Sequence, residues 1–253
     1  MRAAIIGMGV VGKAQAGLFG EHDLVTYDVA DGKPYPYRQI SGCDFAVICV
    51  GTPAREDGSA DLGAVIEALR ILPSKPVLLR STVPPGTTDR LQRRYPGHLI
   101  AHCPEFLHER DGGAWSASSD VPFIILGGTD EARAFFWPII AEAKGGILHE
   151  CDALTAELAK YTANLHWAAR VTFVSEMAAI CEAAGADWEQ VRQAWLADFR
   201  LSPDYTSMDG FEPGFGGRCW PKDLSALIAA SEHAGHKAQF LQAIAEANAR
   251  FRP

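Results

Sequence analysis

No block of lysine or arginine interrupts the 253-residue chain, and its formal net charge is −8. A nucleic-acid footprint or an anionic membrane partner is therefore not expected, although a local basic pocket for a phosphate stays compatible with the charge. No uninterrupted apolar run approaches the length of a bilayer span. Met1 to Gly7 run straight into a strand-and-glycine pattern, so the N-terminus does not read as a signal peptide. The six cysteines (Cys43, Cys49, Cys103, Cys151, Cys181, Cys219) are scattered, without a CxxC pair or a Cys/His cluster at zinc spacing. No disulfide framework or metal site is expected, and reduced thiols suit a cytoplasmic location. Five of the six read as small core hydrophobes. Only Cys219 lies in a local sequence that asks for another explanation. Internal repeats and low-complexity tracts are also missing.

With 48% hydrophobic residues the chain can bury a core, as one large domain or two modest ones. Its first part alternates short β-rich runs with helical patterns. The strands expected are Ala3–Ile6, Leu24–Asp28, Phe45–Val50, Val77–Ser81, Leu99–His102 and Phe123–Leu126. The clearest helix between them is Asp61–Leu72, with Asp61 as a cap. Continuous apolar strands alternating with helices predict an α/β fold with a Rossmann-type, doubly wound and mostly parallel sheet over residues 1–150. From residue 151 to 253 the pattern is α-helical. Thr155–Gly185 is proline-free and long enough for a helix of about 30 residues, with Gly185 as its C′ residue. Further helices are expected at Trp188–Phe199, Asp223–Ala234 and Ala238–Arg250, and Ser202–Pro221 reads as a functional loop.

Gly7, Met8, Gly9, Val10, Val11 and Gly12 form a GxGxxG turn between the first strand and a helix. The first glycine permits the tight turn, the second lets backbone approach a pyrophosphate, and the third allows close helix–strand packing. Asp28 closes the second strand about 20 residues on, where a carboxylate accepts from the ribose hydroxyls and repels a 2′-phosphate. NAD is thus expected over NADP. The competing reading is an ordinary glycine turn with Asp28 as a strand-end cap.

Gly214 to Asp223 combine a pliable glycine loop with Cys219 and with Pro221, a natural first-turn residue, so Cys219 falls at a helix N-terminus. The dipole there favours thiolate. A buried cysteine in a turn, with Asp223 as a first-turn carboxylate, explains the same residues equally well. Lys160 and Asn164 are i,i+4 on the long helix and could polarise a substrate oxygen together. A surface Glu157–Lys160 pair beside a solvated Asn164 is the bland alternative. Ser81 to Thr88 and His102 to Glu109 follow expected strands, where open α/β sheets bind ligands. A carboxylate of the second loop could deprotonate water, and ordinary turn chemistry would also account for both. The histidines are assigned no catalytic role.

Taken in order, GMGVVG, VICVGTP (47–53), STVPPGTT (81–88), PEFL (104–107), AELAKYTAN (156–164) and PGFGGRCWPKD (213–223) resemble the UDP-glucose/GDP-mannose dehydrogenase family. Leu241–Phe251 is similar to the end of that family's central helical domain. The resemblance implies a four-electron oxidation with two NAD. An alcohol becomes an aldehyde, is captured by Cys219 as a thiohemiacetal, passes to a thioester and is hydrolysed to an acid. It implies that Lys160 and Asn164 stabilise the reacting oxygen, that Asp223 supports them, and that Glu105 is the general base. Thr82 would lie near the nicotinamide and catalytic water, Thr52 would contact the cofactor with Val50 beside it, and Glu109 would lie near substrate and cofactor. Phe106, Leu107, Phe215, Gly216 and Arg218 are the candidate substrate contacts. The partner expected is a small-molecule alcohol, and the long helix implies a homodimer.

Three features depart from the family pattern. The chain ends where a third, nucleotide-gripping domain would begin; the connection from Asp28 to Phe45 lacks a helical insertion; and Arg218 stands where a small residue is usual. The substrate could therefore be smaller than a nucleotide sugar, with Arg218 engaging its phosphate or carboxylate. Two other readings compete: a one-step dehydrogenase of the β-hydroxyacid type in which Cys219 is incidental, and a non-catalytic NAD-binding relative.

Overall fold

The structure is a computed structural model that describes residues 1–107, 122–143, 146–209 and 212–252. It divides into two compact units, one of Met1–Pro53 with Ala60–Lys160, the other of Ala54–Ser59 with Tyr161–Pro253.

The first unit holds strands β1 (Arg2–Ile6), β2 (Asp23–Tyr27), β3 (Phe45–Ile48), β4 (Pro76–Leu79), β5 (Leu99–His102), β6 (Phe123–Gly128) and β7 (Ile147–Cys151). They form one sheet in the order β2-β1-β3-β4-β5-β6-β7, parallel throughout except for the β5–β6 pair. Its helices are α1 (Val10–Leu18), α2 (Tyr37–Ser41), α3 (Gly63–Ile71), α4 (Thr87–Arg94) and α5 (Asp130–Ala143). The two-residue period of a strand explains the continuous apolar runs. Ala4, Ile6, Ala46, Ile48, Val77 and Leu79 pack on one face with residues of α3 and α4. Ala3, Ile5, Phe45, Val47 and Leu78 pack on the other with residues of α5. Both faces are covered, as a doubly wound sheet requires. The expected strands are all present, most with slightly shifted ends. The sequence reading lacked β7, whose ILHEC stretch is largely exposed and shows no apolar run. It also left out α5, a helix with Pro138 inside it.

α6 (Ala153–Ala184) leaves the first unit at Lys160 and continues into the second. It ends as expected: Gly185 adopts φ +76°, and Ala186 N–H donates to the Cys181 carbonyl. The second unit adds α7 (Trp188–Trp195), α8 (Trp220–His233) and α9 (Gln239–Phe251), around a core of Leu165, Ala168, Phe215, Leu224 and Ile244. α8 starts three residues before the expected Asp223, because the Cys219 carbonyl already accepts from Asp223 N–H at 2.8 Å. α7 stops at Trp195, short of the expected Phe199.

Candidate active site

The strand order reverses between β1 and β3, and ligands of open α/β sheets bind at the carboxyl ends of strands beside such a switch point. The glycine turn lies there. Gly7 has φ +92°, and a Cβ on it would come within 2.8 Å of the Cys49 carbonyl oxygen. A Cβ on Gly12 would sit 1.8 Å from the Gly7 carbonyl oxygen, so helix and strand pack backbone to backbone. A Cβ on Gly9 would meet nothing within 4 Å. Gly9 caps α1, and Met8, Gly9 and Val10 leave that helix end accessible. These properties suit a pyrophosphate at a helix N-terminus. Asp28 Oδ2 accepts from Met8 N–H at 2.6 Å and Oδ1 from Ala30 N–H at 2.8 Å. These bonds, Ala30's first, hold its pKa below the usual carboxylate value, so the acceptor stays ionised. Thr52, predicted to contact cofactor, is buried and donates its hydroxyl to the Thr82 carbonyl at 2.7 Å. Ser81 donates likewise to the Val50 carbonyl, so the loops after β3 and β4 are stapled together.

Also in the first unit, Glu105 is buried against Arg80. Its Oε2 accepts from Arg80 and from Gln15 of α1, the latter at 2.5 Å, and its Oε1 accepts from Phe106 N–H at 3.0 Å. The candidate base is thus fixed in orientation and tied to the helix that carries the glycine turn. Phe106 packs at a tilt against Phe123 with ring centres 4.9 Å apart, and the buried Lys160 ammonium lies 4.8 Å from the Phe106 ring centre. Leu107 follows, half-buried. His102 is fully buried, and burial, reinforced by Arg80, pushes its pKa down to about 3. It is held as a neutral imidazole. Burial likewise pushes the Cys49 thiol up to about 12. Glu157, on the turn of α6 before Lys160, accepts from Gly86 N–H, Thr88 N–H and the Thr88 hydroxyl. The surface Glu157–Lys160 pair is thereby replaced: both residues are buried, and Glu157 caps α4. Glu109 lies outside the described residues.

In the second unit, Cys219 is exposed and is the N-cap residue of α8, with Trp220 first and Pro221 second in the helix. The alternative of a buried cysteine therefore fails at Cys219, while Asp223 does lie in the first turn and is 1% exposed. Its Oδ2 accepts from the Asn164 amide at 2.6 Å, and its Oδ1 pairs with Lys222 at 2.5 Å. Asn164, read in the bland alternative as solvated, is buried. Phe215, a candidate substrate contact, is only 4% exposed and belongs to the unit's core, whereas Gly216 and Arg218 are exposed. Asn248 and Ser175, which hold this loop from α9 and α6, were missed by sequence reasoning. No motif spacing signals a side chain whose task is to bond distant backbone.

The switch-point sheet, the glycine cradle and the ionised Asp28 define an α/β dinucleotide-binding protein followed in sequence by an all-helical unit. Comparison narrows the class. Residues 35–142 match the NAD-binding domain of the UDP-glucose/GDP-mannose dehydrogenase family, and residues 154–250 match its central domain. The chain is 30% identical to UDP-glucose 6-dehydrogenase AglM of Haloferax volcanii, over 98% of this chain and 69% of that protein. It is 29% identical to UDP-glucose 6-dehydrogenase YwqF of Bacillus subtilis, over 90% of this chain and 54% of that protein. A UDP-glucose dehydrogenase structure from Pyrobaculum islandicum superposes with a TM-score of 0.86 at 28% identity, covering 98% of this chain and 68% of that one. The chain belongs to the UDP-glucose/GDP-mannose dehydrogenase family. It spans about half the length of several curated relatives that it matches.

Proposed function

We propose that this chain carries the catalytic machinery of an NAD-dependent dehydrogenase that converts the primary alcohol of a sugar nucleotide, or of a smaller sugar or nucleoside derivative, to a carboxylic acid. The observation that carries the reading is Cys219 at the exposed N-terminus of α8, one turn before the buried Asp223 that holds Asn164. UDP-glucose is the first substrate to test, because the similar proteins are UDP-glucose 6-dehydrogenases.

The cradle of Gly7 to Gly12 and Asp28, with Val50, Thr52 and Thr82, would hold NAD. When bound, NAD supplies the hydride acceptor, one equivalent for each oxidation. Lys160 and Asn164 steady the substrate oxygen as the alcohol loses its proton and a hydride to become an aldehyde. The Cys219 sulfur, favoured as thiolate by the helix end, adds to the aldehyde carbon, and the oxygen gains a proton. Loss of a second hydride and of that proton leaves a thioester on Cys219. Glu105, held by Arg80 and Gln15, takes a proton from the water that attacks the thioester. The C–S bond breaks, the thiolate returns and the acid leaves. We expect a homodimer through α6, on which Phe173 and Ile180 stay exposed one heptad apart.

Counting NADH per acid formed from UDP-glucose tests the reading, with Cys219→Ser as control. Two NADH and an inactive Cys219→Ser support it. One NADH, or normal acid release by Cys219→Ser, overturns it.

A further inference from the structure

The glycine loop before Cys219 has a backbone that should wander, yet two buried polar side chains, one from α9 and one from α6, grip its start. Asn248, near the end of α9 and 9% exposed, accepts from Phe215 N–H through Oδ1 at 2.7 Å and donates through Nδ2 to the Phe215 carbonyl at 3.0 Å. The amide thereby satisfies both backbone groups of one residue, as a neighbouring strand would. Ser175 of α6 accepts from Gly214 N–H at 2.8 Å while donating to the Val171 carbonyl at 2.9 Å. Gly214 makes the clamp possible: it adopts φ +78°, and a Cβ on it would come within 2.8 Å of Asn248 Oδ1. The gripped Phe215 is buried, and its ring meets Trp220 edge-on at 6.2 Å. Trp220 is the first residue of α8. Unclamped loop backbone is thus cut to Gly216 through Arg218, between the held Phe215 and the Cys219 carbonyl, which accepts from Asp223 N–H at 2.8 Å.

We infer that Asn248 is a positioning residue for Cys219, acting with Ser175 by fixing the Phe215 backbone so that the sulfur stays at the N-terminus of α8. The inference rests on the reading of Cys219 as the nucleophile, but its test needs no substrate. Without the clamp the loop from Gly214 to Arg218 gains freedom and the Cys219 N-cap frays, so the sulfur leaves the helix end for part of the time and the dipole's preference for thiolate is diluted. A side chain that only supported the fold would lower stability and leave the chemistry of the thiol alone.

The experiment is the pH profile of Cys219 alkylation by iodoacetamide, read by mass spectrometry of the Cys219 peptide and compared with Cys219→Ser. In Asn248→Ala the midpoint of the profile should move up towards that of an ordinary thiol, and the rate at neutral pH should fall several-fold. Asn248→Asp keeps an acceptor for Phe215 N–H but loses the donor to its carbonyl, so it should fall between the two. Cys181→Ala, which opens a cavity at a buried position of α6, controls for lost stability. If Asn248→Ala does not fold, Ser175→Ala gives the same reading from the other jaw. A midpoint unchanged from that of the Cys181→Ala control would overturn the inference. A shifted midpoint in a protein that oxidises neither sugar nucleotides nor smaller sugar or nucleoside derivatives would uphold the clamp while sinking the proposed activity.

Discussion

Asn164 of α6 and Asp223 of α8 meet at 2.6 Å, and the same carboxylate holds Lys222 through its other oxygen. An ionised carboxylate only accepts, so Asn164 must turn its nitrogen to Asp223, which settles the orientation of the amide. Asp223→Ala removes the acceptor from a buried amide. It should cost about 1–3 kcal/mol, read as a lower denaturant midpoint at unchanged slope. If Asn164 steadies the reacting oxygen, Asn164→Ala should lower kcat about 100-fold or more with UDP-glucose. A kcat within twofold of wild type would remove Asn164 from the chemistry.

The three glycines of the cradle make separable predictions. Gly12→Ala forces a methyl onto the Gly7 carbonyl, so the variant should unfold at lower temperature or fail to accumulate. Gly9→Ala meets no protein atom, and its φ of −68° suits alanine, so the melting temperature should stay near wild type. The methyl would instead occupy space kept for the pyrophosphate, and NAD affinity should fall at least tenfold by calorimetry. Wild-type affinity in Gly9→Ala would place the dinucleotide elsewhere.

Those glycines were legible because backbone geometry demands a residue type, and the strands because burial on both faces demands apolar residues throughout. The edge strand β7 was hidden by its exposure, since half its environment is water. The polar braces were hidden for another reason. Glu157 serves backbone 71 residues away, Ser175 serves backbone 39 away and Asn248 serves backbone 33 away. Nothing local in a sequence records which distant N–H a side chain will meet. Lys160 and Asn164 were found as an i,i+4 pair, yet their burial came only from tertiary packing.

Glu157 offers a test by pH. Burial raises its pKa above 4.5, against the bonds from Thr88 and Gly86, which lower it. The folded state therefore binds the proton more tightly than the unfolded chain does. The stability this contributes is fully present below about pH 4.5 and is lost as pH rises through the folded-state pKa. Subtracting the stability profile of Glu157→Gln should leave a curve that declines across that window. A flat difference between pH 4 and pH 7 would refute the assignment. At neutral pH Glu157→Gln should still be the less stable, by about 1–3 kcal/mol, because its amide turns a donor towards backbone N–H groups.

Arg80 and Glu105 form a buried pair in which neither charge has ready access to water. Arg80→Leu removes the guanidinium that faces the buried carboxylate, and a cost of about 3–5 kcal/mol is expected by chemical denaturation. The double variant Arg80→Leu/Glu105→Leu should recover much of that loss, since both charges leave together. Additive losses would mean that the two side chains act independently despite their contact.

Arg218 separates the two views of the substrate. It is exposed beside Cys219, and no described acidic residue pairs with it, so its guanidinium is available to an anion. A guanidinium that engages substrate phosphate or carboxylate binds in the ground state and the transition state alike. Its removal should therefore raise KM and spare kcat. Arg218→Ala is expected to raise KM for UDP-glucose about tenfold, equivalent to a charge-assisted hydrogen bond of roughly 1.5 kcal/mol. Lysine should restore only part of the loss, because it brings the charge without the planar fork. If Arg218→Ala turns over every anionic substrate at the wild-type KM, the departure from the family's small residue carries no role in recognition.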